Sequence, residues 1–353
     1  MSSLATISKE LGLSKATVSR AFDPRFAELV KPATRKRIFD FCREHDYHPT
    51  LIGRSFSTGR TFKIGVIAAE TTVRDFSLFS AALFNGISEA AMRRNYTPVL
   101  LNVPEMNHSC IDQIKSSVAD GYIISSSFSR NEELCQLLVQ KKIPAVIHNP
   151  YRMTAGELPV FCRDIRPCYR KLWRNLPQED WNRTVFIGRG LISGKWKDLQ
   201  AAAPQGVKID QFLISEREEN FLFHRDSARA FAEKMLDCLL KYKLLWCSSD
   251  LVALGICDIL KAHGIVPGKD IYVVGFDNLE SMLSNFLESG LTTIDPNWRL
   301  CGCMLVEMLL DSLESGRCLP TCTPWLPQVV FRETFPEKNK KMAENENLFP
   351  DLP

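Results

Sequence analysis

Six polar residues stand just past the ends of short apolar runs in this 353-residue chain: His148, Asn149, Asp164, Arg189, Asp250 and Asp277. Carboxylates at such places can accept hydrogen bonds from sugar or purine donors, while Arg or Lys can hold hydroxyls or an anion. Asp250 fits a helix N-cap as well, and Asp277 a turn-forming Asp. The two acids could in principle serve acid–base chemistry. No Gly-rich phosphate loop and no GxSxG elbow accompany them. A metal is not expected. Cys301 and Cys303 sit two apart in an expected helix and point to different faces. Cys318 and Cys322 flank Pro320 without the two further ligands that zinc needs. No cofactor is expected either.

A second group of residues, near the N-terminus, suits a different chemistry. Residues 1–60 hold 11 Lys and Arg against 6 Asp and Glu, whereas the remainder holds 33 against 35. A basic module on a near-neutral body is what a nucleic-acid-binding appendage gives. Leu4, Ile7 and Leu11 follow helical spacing, Gly12 marks a turn, and Leu13 supplies an apolar anchor. Ser14 reads as the N-cap of a second helix, Lys15 to Phe22. Two short helices joined by a Gly-containing turn make a helix-turn-helix, whose second helix enters the major groove by its start. Lys15, Ala16, Thr17 and Arg20 would then face base edges and phosphates. A third helix is expected from Pro32 to His45, with Pro32 in the first turn, where its missing N–H costs least. Ile38, Phe39 and Phe41 would contact the first two helices, leaving Arg35, Lys36 and Arg37 to solvent or phosphate.

The elements that must position the six polar residues follow from Phe62 onward. Strands are expected at 63–68, 98–103, 121–125, 143–147, 159–163, 184–188, 209–214, 244–248, 271–276 and 291–294. Helical runs intervene, among them Phe79 to Arg94, Ala228 to Lys241 and Leu251 to His263. Such alternation predicts parallel sheets covered on both faces by helices. Ten strands exceed one compact lobe, so two similar lobes are expected. Ligands of open α/β sheets sit beyond the carboxyl ends of the strands, where the six residues lie. Hydrophobic residues make up 45% and charged residues 24%, the balance of a soluble globular protein. No run of eighteen apolar residues is present, so no membrane span is expected. The twelve cysteines, scattered through apolar runs, read as reduced, buried thiols in a cytoplasm.

The segment from Leu11 to Phe22 resembles the headpiece signature of the lactose/galactose repressor (LacI/GalR) family of bacterial transcription regulators. The run Tyr47-His48-Pro49 to Arg54-Ser55-Phe56, then Thr58 to Thr61, resembles that family's hinge. Ile64-Gly65-Val66, the segment 250–255, the segment 273–278 and Leu291 to Ile294 resemble further family motifs. The resemblance implies an all-α helix-turn-helix headpiece (1–47), a hinge helix and linker (48–61), and an α/β two-lobed, periplasmic-binding-protein-like sensor (62–336). Lobe 1 would take about 62–162 and 293–322, and lobe 2 about 163–292 and 323–336. Residues 337–353, rich in Lys, Glu and Asn, read as a disordered tail.

The same resemblance supplies roles. Lys15, Ala16 and Arg20 would read the major groove within a DNA-facing set of Thr6, Ser14, Lys15, Ala16, Thr17, Ser19, Arg20, Arg54 and Phe56. Phe56 stands where the family has a Leu wedge for the minor groove, and Gly53 where it has Ala. Phe79 and Lys195 join His148, Asn149, Asp164, Arg189, Asp250 and Asp277 as effector-binding candidates. Lys195 replaces a family Arg and His148-Asn149 an Asp-Arg pair. The implied protein is a cytoplasmic, nucleoid-associated homodimer. It would bind a near-palindromic double-stranded operator under control of a small-molecule effector, a sugar or related polyol. Two other readings compete: a DNA-binding regulator that has lost its sensor, and a sugar-processing enzyme with a DNA-binding appendage.

Overall fold

Short Val-, Ile- and Leu-rich runs in the body form two six-stranded sheets. In the computed structural model, residues 4–22, 24–47, 55, 58–69, 78–103, 112, 114, 116, 119–125, 132–149, 158–189, 194–214, 224–282, 289–315 and 322–335 are described. Arg54, Phe56 and most of the expected hinge, together with the expected tail, lie outside them.

At the N-terminus, α1 (Leu4–Leu11), α2 (Lys15–Phe22) and α3 (Pro32–Glu44) close on Ile7, Val18, Ala21, Val30, Ile38 and Cys42. Gly12 turns the chain between α1 and α2 at φ +63°, a conformation that costs a residue with Cβ. Phe39 meets Phe22 edge-on at 5.3 Å. Arg35 and Arg37 do not simply face solvent. Arg35 Nε donates to the Ala21 carbonyl at 3.1 Å and Arg37 to the Leu11 carbonyl at 2.6 Å. Each places a cation on the carbonyl end of a neighbouring helix, so α3 braces the other two.

The first sheet joins β1 (Lys63–Ala69), β2 (Thr97–Val103), β3 (Gly121–Ser125), β4 (Ala145–Asn149), β5 (Val160–Arg163) and β11 (Cys322–Trp325), in the order β11-β5-β4-β3-β1-β2. The second joins β6 (Thr184–Arg189), β7 (Asp210–Ile214), β8 (Leu244–Cys247), β9 (Tyr272–Phe276), β10 (Thr292–Asp295) and β12 (Gln328–Val330), in the order β12-β10-β9-β8-β6-β7. Every pairing is parallel except β10 with β12, among the described residues. β8 and β9 are buried along their whole length, because helices cover both faces of a parallel sheet.

Pairing moves two of the expected lobe limits by three residues. Residues 293–295 belong to the second sheet through β10, and 323–325 to the first through β11. β11 itself carries no long apolar run and was not expected as a strand. The chain passes between lobes just after β5, just after β10 and between β11 and β12. These crossings are tied side by side: Asp164 N donates to Trp325 O at 2.8 Å, and Trp325 Nε1 to Pro296 O at 2.6 Å.

Candidate functional site

The helix Asp250–Ala262 starts against the carboxyl end of β8, and its N-cap is Ser249, which accepts the Val252 N–H at 3.3 Å. The Asp250 side chain is thereby released from capping. Its Oδ1 accepts the Thr293 hydroxyl at 2.6 Å and its Oδ2 the Leu279 N–H at 2.8 Å. Gly275 on β9 makes room, since a Cβ there would stand 2.2 Å from Asp250 Oδ1. Asp250 is 2% exposed, and burial, reinforced by the Asp277 charge, pushes its carboxyl up to about 7.

Asp277 follows β9 at φ +118° and Asn278 at φ +56°, two successive non-glycine residues in sparsely populated backbone. The turn is held by Asp277 N to Ile294 O at 3.0 Å, by Asn278 Nδ2 to Asp295 Oδ2 at 2.8 Å, and by Arg332 to Asn278 Oδ1 at 2.8 Å. Over-determined strain of this kind fixes the direction of the 5%-exposed Asp277 carboxylate. Its carboxyl is raised by burial, against the opposing charges of Lys195 and Arg163.

Lys195, in the first turn of the helix Gly194–Ala202, donates to the Ser248 carbonyl at 2.6 Å. Its ammonium lies 3.7 Å from the centroid of Phe276. Burial draws it down to about 8, partly offset by Asp277. His148, on β4 of the other lobe, meets Trp298 edge-on at 6.0 Å and Cys301 Sγ at 3.6 Å. Desolvation, with the Arg163 charge, brings it down to about 4, so it is neutral at pH 7.

Asp250, Asp277 and Lys195 therefore come together in one buried electrostatic group, and His148 approaches it from the first lobe through Arg163. Asp164 is 8% exposed and is taken up by Arg166 at 3.0 Å, a pair that steadies the first crossing. Asn149 and Arg189 end β4 and β6 as expected, and Phe79 lies in the helix Leu78–Arg93; their side chains are outside the described residues.

Arg163, Phe276, Trp298 and Thr293 were not singled out in the sequence. Arg163 offered a signal: a cation closing the apolar run Val160-Phe161-Cys162 is a charge headed for burial. Trp298 gave none, because its neighbours His148 and Arg163 lie far from it in the sequence.

In the headpiece, Ser14 Oγ accepts the Thr17 N–H at 3.0 Å and pairs with its hydroxyl at 2.9 Å, capping α2 as expected. Thr6, Ser14, Lys15, Ala16 and Arg20 are exposed, while Thr17 and Ser19 are half-buried. Below the headpiece, Thr61 N donates to Asp120 Oδ1 at 2.7 Å and Phe62 N to Asp120 Oδ2 at 3.0 Å. Arg60 donates to the Leu313 carbonyl at 3.0 Å, so the linker end is fastened to the first lobe. Among the described residues no cluster of His, Cys, Asp and Glu could hold a metal, and no helix is long and apolar enough to cross a membrane.

Residues 200–335 match the family described as periplasmic binding protein-like domain. The chain is 24% identical to the HTH-type transcriptional repressor PurR of Vibrio parahaemolyticus, over 96% of this chain and all of the relative. It is 23% identical to the HTH-type transcriptional regulator AglR of Rhizobium meliloti, over 97% of each. Among solved structures, the lac repressor dimer bound to operator superposes with a TM-score of 0.65 at 18% identity, covering 95% of this chain and 99% of that one. The CelR–cellobiose complex gives 0.61 at 20%, covering 95% and 100%. These relatives bear the names of transcription regulators.

Proposed function

We propose that this chain is a regulator of the LacI/GalR type, as its likeness to PurR, AglR and the lac repressor supports, and that it binds a near-palindromic operator as a homodimer, under control of a small polar effector of the sugar class held between its lobes. The observation that carries this reading is the capped, solvent-facing start of α2, with Lys15, Ala16 and Arg20 exposed together. A helix so presented fits the major groove, and two headpieces in a dimer would sit about 10 base pairs apart. Lys15 and Arg20 then meet base edges or phosphates, while Thr6, Ser14, Thr17 and Ser19 supply hydroxyls to the backbone. Arg54 and Phe56 would complete the contact from the hinge.

Control follows from how the linker is fastened. Asp120 and Leu313 hold residues 60–62 to the first lobe, so rotation of that lobe across a dimer moves the hinge. An effector that prefers one interlobe angle shifts the DNA-competent population; one of equal affinity for both shifts nothing. Asp277 and Lys195 are the groups proposed to meet it, with His148 beside them; Asn149, Arg189 and Phe79 remain the further contacts expected from the sequence. Asp250 and Asp164 orient the loops.

The test is selection of bound genomic fragments by the purified full chain at fixed moderate salt. One recovered palindrome with a central pyrimidine–purine step supports the reading. Sequence-independent, steeply salt-sensitive binding sinks it. A second reading, a regulator without a sensor, is favoured by the internal engagement of both Asp250 oxygens. It gains if Asp277→Ala leaves operator binding unchanged with every metabolite tried.

A further inference from the structure

Arg163 ends β5, and only 6% of its surface reaches solvent. A buried guanidinium is costly unless its N–H groups are paired. Its Nε has no hydrogen-bond partner among the described residues. What it meets is aromatic: its guanidinium carbon lies 4.6 Å from the centroid of Phe276 and 5.6 Å from that of Trp298. The Lys195 ammonium lies against the same Phe276 ring, at 3.7 Å. The acids nearby are already engaged. Asp164 is held by Arg166, and Asp250 by Thr293 and Leu279. Asp277 faces both Arg163 and Lys195, and Asp250 faces Lys195 as well. Among the described acids Arg163 thus has only a share of Asp277 as counter-charge, which an anion would complete.

A small cavity adjoins the guanidinium. It lies at the lobe crossings between His148, Phe161, Arg163, Trp298, Cys301 and Trp325, and its volume of about 10 Å³ takes one water-sized atom, such as a single anionic oxygen, with a mouth open to the outside. Its walls are apolar and aromatic apart from Arg163 and His148. Such a lining strengthens a charge-assisted hydrogen bond by excluding water.

We propose that the interlobe cleft takes an effector bearing a phosphoryl or carboxylate group, and that Arg163 is the residue that holds this group. The inference rests on the regulator reading above and narrows its ligand from a neutral sugar to an acidic one. A planar guanidinium offers two parallel N–H groups to two oxygens of such an anion. Phe276 and Trp298 fix its plane, so little freedom is lost on binding. Arg163 belongs to the first lobe, whereas Phe276 and Lys195 belong to the second, so the anion would bridge the lobes it regulates.

The test uses the full chain, its Arg163→Met and Arg163→Lys variants, and thermal unfolding. Inorganic phosphate, acetate or glucose is added, with chloride adjusted to constant ionic strength. Phosphate or acetate should raise the wild-type Tm by about 2 °C or more. Phosphate alone would mark a phosphoryl ligand, acetate alone a carboxylate. Arg163→Met should lose the response yet melt no lower without anion, having shed a buried cation whose Nε has no partner among the described residues. Arg163→Lys should keep part of it. If Arg163→Met fails to fold, the His148 ring titration by NMR replaces it: phosphate or acetate should move it upward in wild type. No response to either anion, or an equal response in Arg163→Met, overturns the inference. Binding to the recovered DNA is read in the same buffers. Specific binding with no anion response removes this inference alone, and an anion response without specific binding removes the regulator reading.

Discussion

Asp250 Oδ1 and the Thr293 hydroxyl are 2.6 Å apart in the interior of the second lobe, joining the first turn of a helix to the edge of β10. With Leu279 N–H on its other oxygen, this carboxylate ties three segments that sequence separates by up to 43 residues. It sets the position of the strained turn that carries Asp277.

The first prediction concerns pH. The Asp250 carboxyl titrates near 7 in the fold against 3.8 in the unfolded chain. Between those values the native state holds a proton that the unfolded state has lost, so this group's contribution to stability falls as pH rises from about 4 to about 7. Asp250→Asn keeps the shape without the charge. Relative to wild type it should gain roughly 2–4 kcal/mol between pH 4.5 and pH 8. Urea unfolding at the two pH values measures this; a pH-independent difference would disprove it.

Asn278 should be hard to replace. Ala at φ +56° adds backbone strain and removes the bonds to Asp295 and Arg332. Asn278→Ala should cost about 2 kcal/mol in denaturant unfolding and weaken any effector-induced Tm shift.

Ser14→Ala removes the cap on the eight-residue α2, at about 1 kcal/mol. A helix that short depends on its cap and its packing. Operator affinity should fall several-fold while the melting of the two-lobed body stays put, as calorimetry resolving the two transitions would show.

Basic residues of the headpiece should divide into two classes. Arg20→Ala removes an exposed charge, and should lower operator affinity and reduce the log–log salt slope by about 1 if it meets a phosphate. Arg37→Met removes the brace on the Leu11 carbonyl, and should lower headpiece stability while leaving that slope unchanged. Fluorescence anisotropy across a salt series separates them.

Local physics makes much of this protein legible in its sequence. Apolar runs marked ten strands because a covered parallel sheet needs near-continuous Val, Ile and Leu. Helical spacing at Leu4, Ile7 and Leu11, with Gly12 and Ser14, marked the headpiece because turns and caps are set by neighbours in the chain. β11 was missed because Cys-Thr-Pro-Trp has no period; it exists by pairing with β5, residues 160–163.

The site divides along the same line. Asp250, Asp277 and His148 were legible as polar ends of apolar runs, a property of the sequence itself. That Asp250 is spent on Thr293, that Lys195 and Arg163 share one aromatic ring, and that Arg163 is buried with its Nε unpaired among the described residues were decided only by tertiary structure. Burial and pairing of a charge depend on which distant segments surround it, and here those segments come from two sheets that meet where the chain crosses between lobes.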